Sequence, residues 1–398
     1  MKIAFIDANP AQTYDAETPL HVPMSGSEAA MCHLASAVAA RGHAVSLLTG
    51  REDARMARGV RCSGLASAMS ELASYDVLVV LSSQVALDAI RAAAGREVPL
   101  VVWEQSMVTP ATTERFYRSG RARFDAVAFV SNWQREQRLA DFGVERERTA
   151  VLGNAIGPRF ERLFAPGESV LARKVRPFEL IFTSSPPKGL RFLVKVFPRL
   201  RRLRPDAMIA VYSSLSAGPA NSVFRDADWQ EVYDACRNTP GMNYSAWIEP
   251  ARLVDALVRA LALYYPNTEA ETSSICTMEA MAAGCVIVVP ALGALPETLA
   301  GYGSRVAIRK PPEEGRFNVM GSLNIGEFAE AGARVLRVAE TRGDELDAHL
   351  RRQVDYVNAR YVWSQRAVEW EEALARWFGS SAPGAAPPDR KPAISSTA

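Results

Sequence analysis

Glu271 and Glu279, with seven residues between them, are the side chains best placed for chemistry, because they bracket a predicted helix start between two apolar strands. Leu261 to Tyr265 and Val286 to Val289 read as buried strands. Cys276, Met278, Ala280, Met281 and Ala283 between them fit a connecting helix that Gly284 stops. A strand-loop-helix-strand unit of this kind gathers ligand at the carboxyl ends of its strands, and the free N–H groups of the helix's first turn favour a diphosphate there. Glu271 belongs to the loop and Glu279 falls about two turns into the helix. A second element supplies positive charge. Lys188, in the run Phe182 to Leu190, follows another apolar strand, where a cation can neutralise a leaving diphosphate.

The elements that must position these groups repeat along the chain. Apolar runs at Ile3 to Ile6, Ala44 to Leu48, Val77 to Leu81, Leu100 to Trp103, Ala126 to Val130 and Ala150 to Leu152 alternate with amphipathic stretches, the first from about Ser27 to Arg41. That alternation is a βαβ series, hence a parallel sheet covered on both faces. The series restarts at Glu179 to Thr183, a helix through Phe192 to Leu203, and Met208 to Tyr212. Between the halves, Asn154 to Arg176 carries Gly157-Pro158 and Pro166-Gly167 and reads as a linker, with the boundary near residue 165.

Composition bounds the rest. A chain of 398 residues, 48% hydrophobic and 23% charged, can build two cores. Its net charge of +2 gives no reason to expect nucleic acid. The five cysteines lack C-x-x-C spacing and read as buried thiols of a reducing cytoplasm, and with four histidines no metal-ligand cluster is expected. The opening run is too short for a signal segment and no long apolar run follows. The expectation is a cytoplasmic protein, soluble or bound to a membrane face. Ser380 to Ala398, rich in Pro, Ala and Ser, reads as a disordered tail.

Glu271 and Glu279, followed by Ala280-Met-Ala-Ala-Gly284 and by Gly293-Ala-Leu-Pro-Glu-Thr298, resemble the E-x7-E signature of the large retaining family of GT-B glycosyltransferases usually numbered four. The resemblance implies an α/β fold of two Rossmann-like domains with the active site in the cleft between them. Residues 1–165 would form an acceptor domain and 166–360 a domain binding the nucleotide sugar, with a final helix over 361–378 packing back on the first. It also implies a metal-independent enzyme with no cofactor, whose donor substrate is a nucleotide diphosphate sugar and whose acceptor is a glycan, a lipid-linked or a small molecule. By the resemblance Lys188 contacts the donor phosphates, Glu279 the ribose hydroxyls and Glu271 the sugar near its reacting carbon.

Further positions follow the family order. Pro23 to Glu28 occupies the place of a G-G-x-E loop near the donor phosphates. Ser25 replaces the first glycine, Gly26 suits a tight turn and Ser27 a helix cap. Thr272, Ser273, Ser274 and Ile275 stand where relatives often have G-F-G-L, so their amides remain available to the donor. Ser245 to Ile248 occupies the stretch that holds the nucleotide base, with Ile248 the expected contact and Trp247 either contact or core. Two departures bear on catalysis. Glu104 and Gln105 stand where many relatives have a sugar-contacting histidine, and Ser184 and Ser185 stand where an arginine usually precedes the lysine. Gln105 can hold a hydroxyl but carries no charge. Arg115 to Phe124 interleaves arginines with Phe116, Tyr117 and Phe124 on a predicted helix, either a solvated basic face or a contact for anionic lipid or a phosphate-bearing acceptor. The rival readings are a GT-B sugar-nucleotide-binding protein without transferase activity, and a nicotinamide-dependent dehydrogenase, against which stands the absence of G-x-G-x-x-G after the first strand.

Overall fold

The computed structural model describes residues 1–82, 87–105, 123–142, 145–215, 226–308 and 323–379. The first sheet comprises β1 (Lys2–Ile6), β2 (Ala44–Thr49), β3 (Arg55–Ala57), β4 (Val60–Gly64), β5 (Val77–Leu81), β6 (Leu100–Glu104), β7 (Ala126–Phe129) and β8 (Thr149–Val151), in the order β3-β4-β2-β1-β5-β6-β7-β8. It is parallel except at its edge, where the short β3 pairs antiparallel with β4. Along β1, Ile3 and Phe5 enter one apolar cluster while Ala4 and Ile6 enter another, the alternation that a strand buried on both faces requires.

The second sheet comprises β9 (Glu179–Thr183), β10 (Met208–Tyr212), β11 (Met242–Ser245), β12 (Ala262–Tyr264), β13 (Val286–Pro290) and β14 (Ser304–Val306), in the order β11-β10-β9-β12-β13-β14, with every described pairing parallel. Its core is separate and runs from Ile156 and Phe160 to Tyr361. Ile156 and Phe160 thus already belong to the second core, ahead of residue 165.

The helices that matter for the site are α1 (Gly26–Ala39), α2 (Asn132–Phe142), α3 (Leu190–Leu203), α4 (Pro250–Arg259), α5 (Ile275–Ala282), α6 (Leu295–Leu299), α7 (Gly343–Arg360) and α8 (Trp363–Phe378). Buried Trp363, Ala367, Trp370 and Leu374 set α8 into the core of the first domain, where Trp370 meets Trp103 edge-on at 5.2 Å and Phe5 at 6.4 Å. The chain therefore crosses between domains twice. The crossings touch: the Ile156 N–H donates to the Tyr361 carbonyl at 3.0 Å, and Arg366 Nε to the Asn154 carbonyl at 3.1 Å.

None of the described helices is long and apolar enough to cross a membrane. Residues 115–122 of the arginine-aromatic segment and the tail 380–398 lie outside the described residues. At the described end of that segment Phe124 is core rather than exposed face, and Arg123 pairs with Asp88 at 2.7 Å.

Candidate functional site

The loop between β12 and α5 carries Glu271, and three backbone anchors fix it. The Ala294 N–H donates to the Glu271 carbonyl (2.7 Å), Thr298 Oγ1 to the Ser273 carbonyl (2.5 Å), and Thr272 Oγ1 crosses the cleft to the Gln105 carbonyl (2.7 Å). Gly293 is required beside it, since a Cβ there would collide with the Glu271 backbone. The first bonds of α5 run from Thr277 and Met278 to the Ser274 carbonyl at 3.1 and 3.2 Å, so the amides of Ile275 and Cys276 stand at its open end. Ser274 holds φ 64, a left-handed conformation without glycine, its hydroxyl 2.8 Å from Thr277 Oγ1. Ser273 Oγ is buried and has no hydrogen-bond partner among the described residues. It is an open polar group beside Glu271.

Lys188 Nζ donates to Glu271 Oε2 at 2.9 Å, and the Tyr265 hydroxyl donates to Oε1 at 2.5 Å. Both oxygens of a nearly buried carboxylate are thereby engaged. Burial alone would push the Lys188 ammonium down, but the charge and hydrogen bond of Glu271, with Cys276 and Glu269 adding, hold it above its ordinary value. The lysine sits on a fixed turn. Gly189 takes φ 108 against the Pro266 carbonyl, leaving no room for a Cβ.

Glu279 follows Ile275 by four residues, just over one turn into α5 rather than two, because the helix starts at Ile275. Its Oε1 accepts the Gly157 N–H at 3.2 Å, and burial raises its carboxyl to about 7 despite that bond. A cavity of about 170 Å³, open on one side, joins Glu279 to Ile248 and Leu253 of the second domain and to Pro23, Met24 and His33 of the first. A second cavity, which shares Ile248, is lined by Ser245, Trp247 and Arg252, and Trp247 is half-exposed there rather than core.

The opposite wall differs from the sequence reading at its helix start. The helix α1 begins at Gly26 with Ser25 in the cap position, its backbone extended at φ −67 and ψ 152, and without a side-chain capping bond. Ser27 lies inside the first turn, where its backbone is already helical and a cap's extended geometry is unavailable. Gly26 faces Ile275 across the cleft, a Cβ on it lying 3.4 Å from Ile275 Cδ1. Glu28 in the first turn is pushed up to about 7 by burial, with the Asp7 charge adding and a bond to its own backbone opposing.

Gln105 and Glu104 are placed at the cleft end of β6, but both are buried. The Gln105 side-chain amide exchanges two hydrogen bonds of 2.9 Å with that of Asn154, which uses one N–H and one carbonyl lone pair of each. It was expected as a sugar contact. An Asn partner brought alongside by the interdomain crossing takes up part of its hydrogen bonding.

Three residues enter the site without a sequence signal strong enough to pick them out. Tyr265 grips Glu271. His33 lines the cavity at Glu279, held near 4 by burial with Arg58 adding, and its buried Nδ1 is without a partner among the described residues. Glu297, on α6, accepts the backbone N–H groups of Asn132 and Trp133 (2.9 and 3.0 Å) and so caps α2 from the other domain. Among the described residues no group of His, Cys, Asp and Glu could hold a metal ion.

No protein-family model and no curated protein matches the sequence. Solved structures do. The chain is similar to a glycosyltransferase from Rickettsia africae (12% identity, TM-score 0.68, 95% of this chain and 98% of that one). It is also similar to sucrose-phosphate synthase from Thermosynechococcus elongatus (13%, 0.68, 96% and 100%) and to Anabaena HepE in complex with UDP-glucose (14%, 0.67, 94% and 99%). At these identities the likeness is one of fold. The architecture is GT-B: two domains with parallel sheets and a cleft between them.

Proposed function

We propose that the chain is a retaining GT-B glycosyltransferase of the family-four type, moving a hexosyl-type sugar from a nucleotide diphosphate sugar to a glycan, lipid-linked or small-molecule acceptor. The observation that carries this reading is the pairing of Lys188 with Glu271 at 2.9 Å, at the open amino end of α5 and one turn from Glu279, in the cleft. Negative charge grows on the diphosphate as the sugar leaves, and the Ile275 and Cys276 amides with the Lys188 ammonium oppose it. Positive charge grows on the sugar ring, and Glu271 lies where a carboxylate stabilises it. Glu279 accepts ribose hydroxyls, the cavity at Ile248 takes the base, and the open Ser273 hydroxyl offers a further bond to the donor. HepE, a neighbour of the same fold, is described with UDP-glucose bound, which favours a nucleotide sugar here.

The Gln105–Asn154 amide pair, where relatives often have a histidine, favours a second reading: a sugar-nucleotide-binding protein of this fold without transferase activity. A screen of nucleotide sugars for hydrolysis and transfer, with Glu271→Ala as control, separates the two. Turnover lost in the control supports the enzyme. Donor binding without turnover supports the second reading, and binding of no nucleotide sugar overturns both.

A further inference from the structure

The carboxylate of Glu271 has two partners that differ in freedom. The Tyr265 ring is fully buried, packed 5.8 Å from Phe182, and its hydroxyl, 2.5 Å from Oε1, also accepts from Ser184 Oγ at 3.4 Å. Burial, with the Glu271 charge adding, raises this phenol well above its ordinary value, so it stays protonated and can only donate to the carboxylate. Lys188 is different: its side chain is 37% exposed against 5% for Glu271, and it springs from a turn at the mouth of the α5 amino end. The site therefore holds a neutral ion pair in which the cation has more room to move than the carboxylate. A diphosphate arriving at the Ile275 and Cys276 amides brings more charge than Glu271 and competes for the same ammonium.

We propose that Lys188 changes partner, from Glu271 to the diphosphate when nucleotide binds, and that Tyr265 is the positioning residue that holds Glu271 in place through the exchange. The inference rests on the nucleotide-sugar reading and deepens it. Before binding, Glu271 is masked by the lysine. After binding, Oε2 is released toward the sugar while Oε1 stays anchored, so the charge that stabilises the transition state is exposed only when a donor is present. The tyrosine hydroxyl also takes a share of the carboxylate's hydrogen bonding, which lets the lysine leave without stranding a bare buried charge.

Calorimetric binding of UDP, GDP and ADP to the full chain tests this without turnover. Glu271→Gln frees Lys188 and should tighten nucleotide binding by about threefold to tenfold, the scale of one modest ion pair. Tyr265→Phe leaves the lysine as the carboxylate's main partner and should weaken binding by a similar factor, an effect that vanishes in the Glu271→Gln background. An equal loss in both backgrounds, or none in either, overturns the positioning role. Unchanged or weaker binding in Glu271→Gln overturns the exchange, and it decides the matter alone should Tyr265→Phe fail to fold. If the wild-type chain binds none of the three nucleotides, the nucleotide-sugar reading itself fails and the inference with it. If it binds and the variants do not differ, only the inference fails.

Discussion

With Glu279 holding the ribose hydroxyls as proposed, its carboxyl, raised by burial from 4.5 to about 7, should make nucleotide affinity depend on pH in a direction fixed by the chemistry. Ribose hydroxyls donate to an ionised carboxylate, so binding selects the deprotonated form. With a midpoint near 7, about a tenth of the carboxyls are ionised at pH 6 and about nine-tenths at pH 8. Affinity for a nucleoside diphosphate should then rise roughly tenfold over that interval, about 1.4 kcal/mol, and level off above it. The phosphates titrate in the same range, so the informative quantity is the difference between wild type and Glu279→Gln measured by calorimetry at pH 6, 7 and 8. The glutamine keeps the shape and the phosphate contribution but removes this proton. Identical slopes in the two proteins, or affinity that falls with pH in the wild type alone, would refute the assignment. The stability of the protein alone runs the other way. A carboxyl whose folded value is raised contributes stability present in full below about 4.5 and lost as pH rises through about 7. The Glu279→Gln protein should lose less thermal midpoint between pH 5 and pH 8 than the wild type.

Glu271→Gln should lower turnover about 10²- to 10³-fold, by analogy with removal of one charge-stabilising group, without weakening nucleotide binding. A steady-state loss matched by a loss of affinity would place Glu271 in binding instead. Glu297→Ala removes the carboxylate that caps α2 from the other domain, a contribution of about 1 kcal/mol, so hydrogen exchange at the Asn132 and Trp133 amides should speed about fivefold. Protection equal to the wild type would mean the cap adds nothing. At Ser274, glycine relieves a left-handed backbone but loses a hydroxyl bond of similar size, while valine keeps the strain and loses the bond. Ser274→Val should therefore unfold at a lower temperature than Ser274→Gly by the equivalent of about 1 kcal/mol, and equal midpoints would show that φ 64 costs nothing there.

How much of this was readable in the chain depended on the range over which each feature is determined. The strands Glu179–Thr183 and Met208–Tyr212 are readable to the residue, because a strand buried in a parallel sheet is a continuous apolar run with polar ends. Arg55–Ala57, Met242–Ser245 and Ser304–Val306 are not, being short edge strands with exposed positions and little hydrophobic pattern. The Lys188, Glu271 and Glu279 constellation is visible through a motif whose order along the chain stands in for geometry. Tyr265 is not, since nothing local distinguishes a phenol that reaches a carboxylate from one that only fills core. Gln105 shows the limit from the other side. Its place in the cleft follows from its strand, yet its partner Asn154 lies 49 positions away, and the pairing engages the side chain that the sequence leaves open. The helix cap fell on Ser25 rather than Ser27 because Ser-Gly-Ser offers two cap residues in three.

The doubled crossing between the domains has a mechanical consequence. A single tether leaves a domain free to twist, swing and translate within its slack. Here the strands of the crossing lie side by side and are joined at Ile156–Tyr361 and Asn154–Arg366, while the Tyr361 hydroxyl reaches on to the Thr298 carbonyl at 2.8 Å. Two tethers bonded to each other constrain twist and translation more than one tether does. Gly157 adjoins this seam and bonds Glu279 from it. A single backbone cut in either tether would leave the halves attached but restore that freedom.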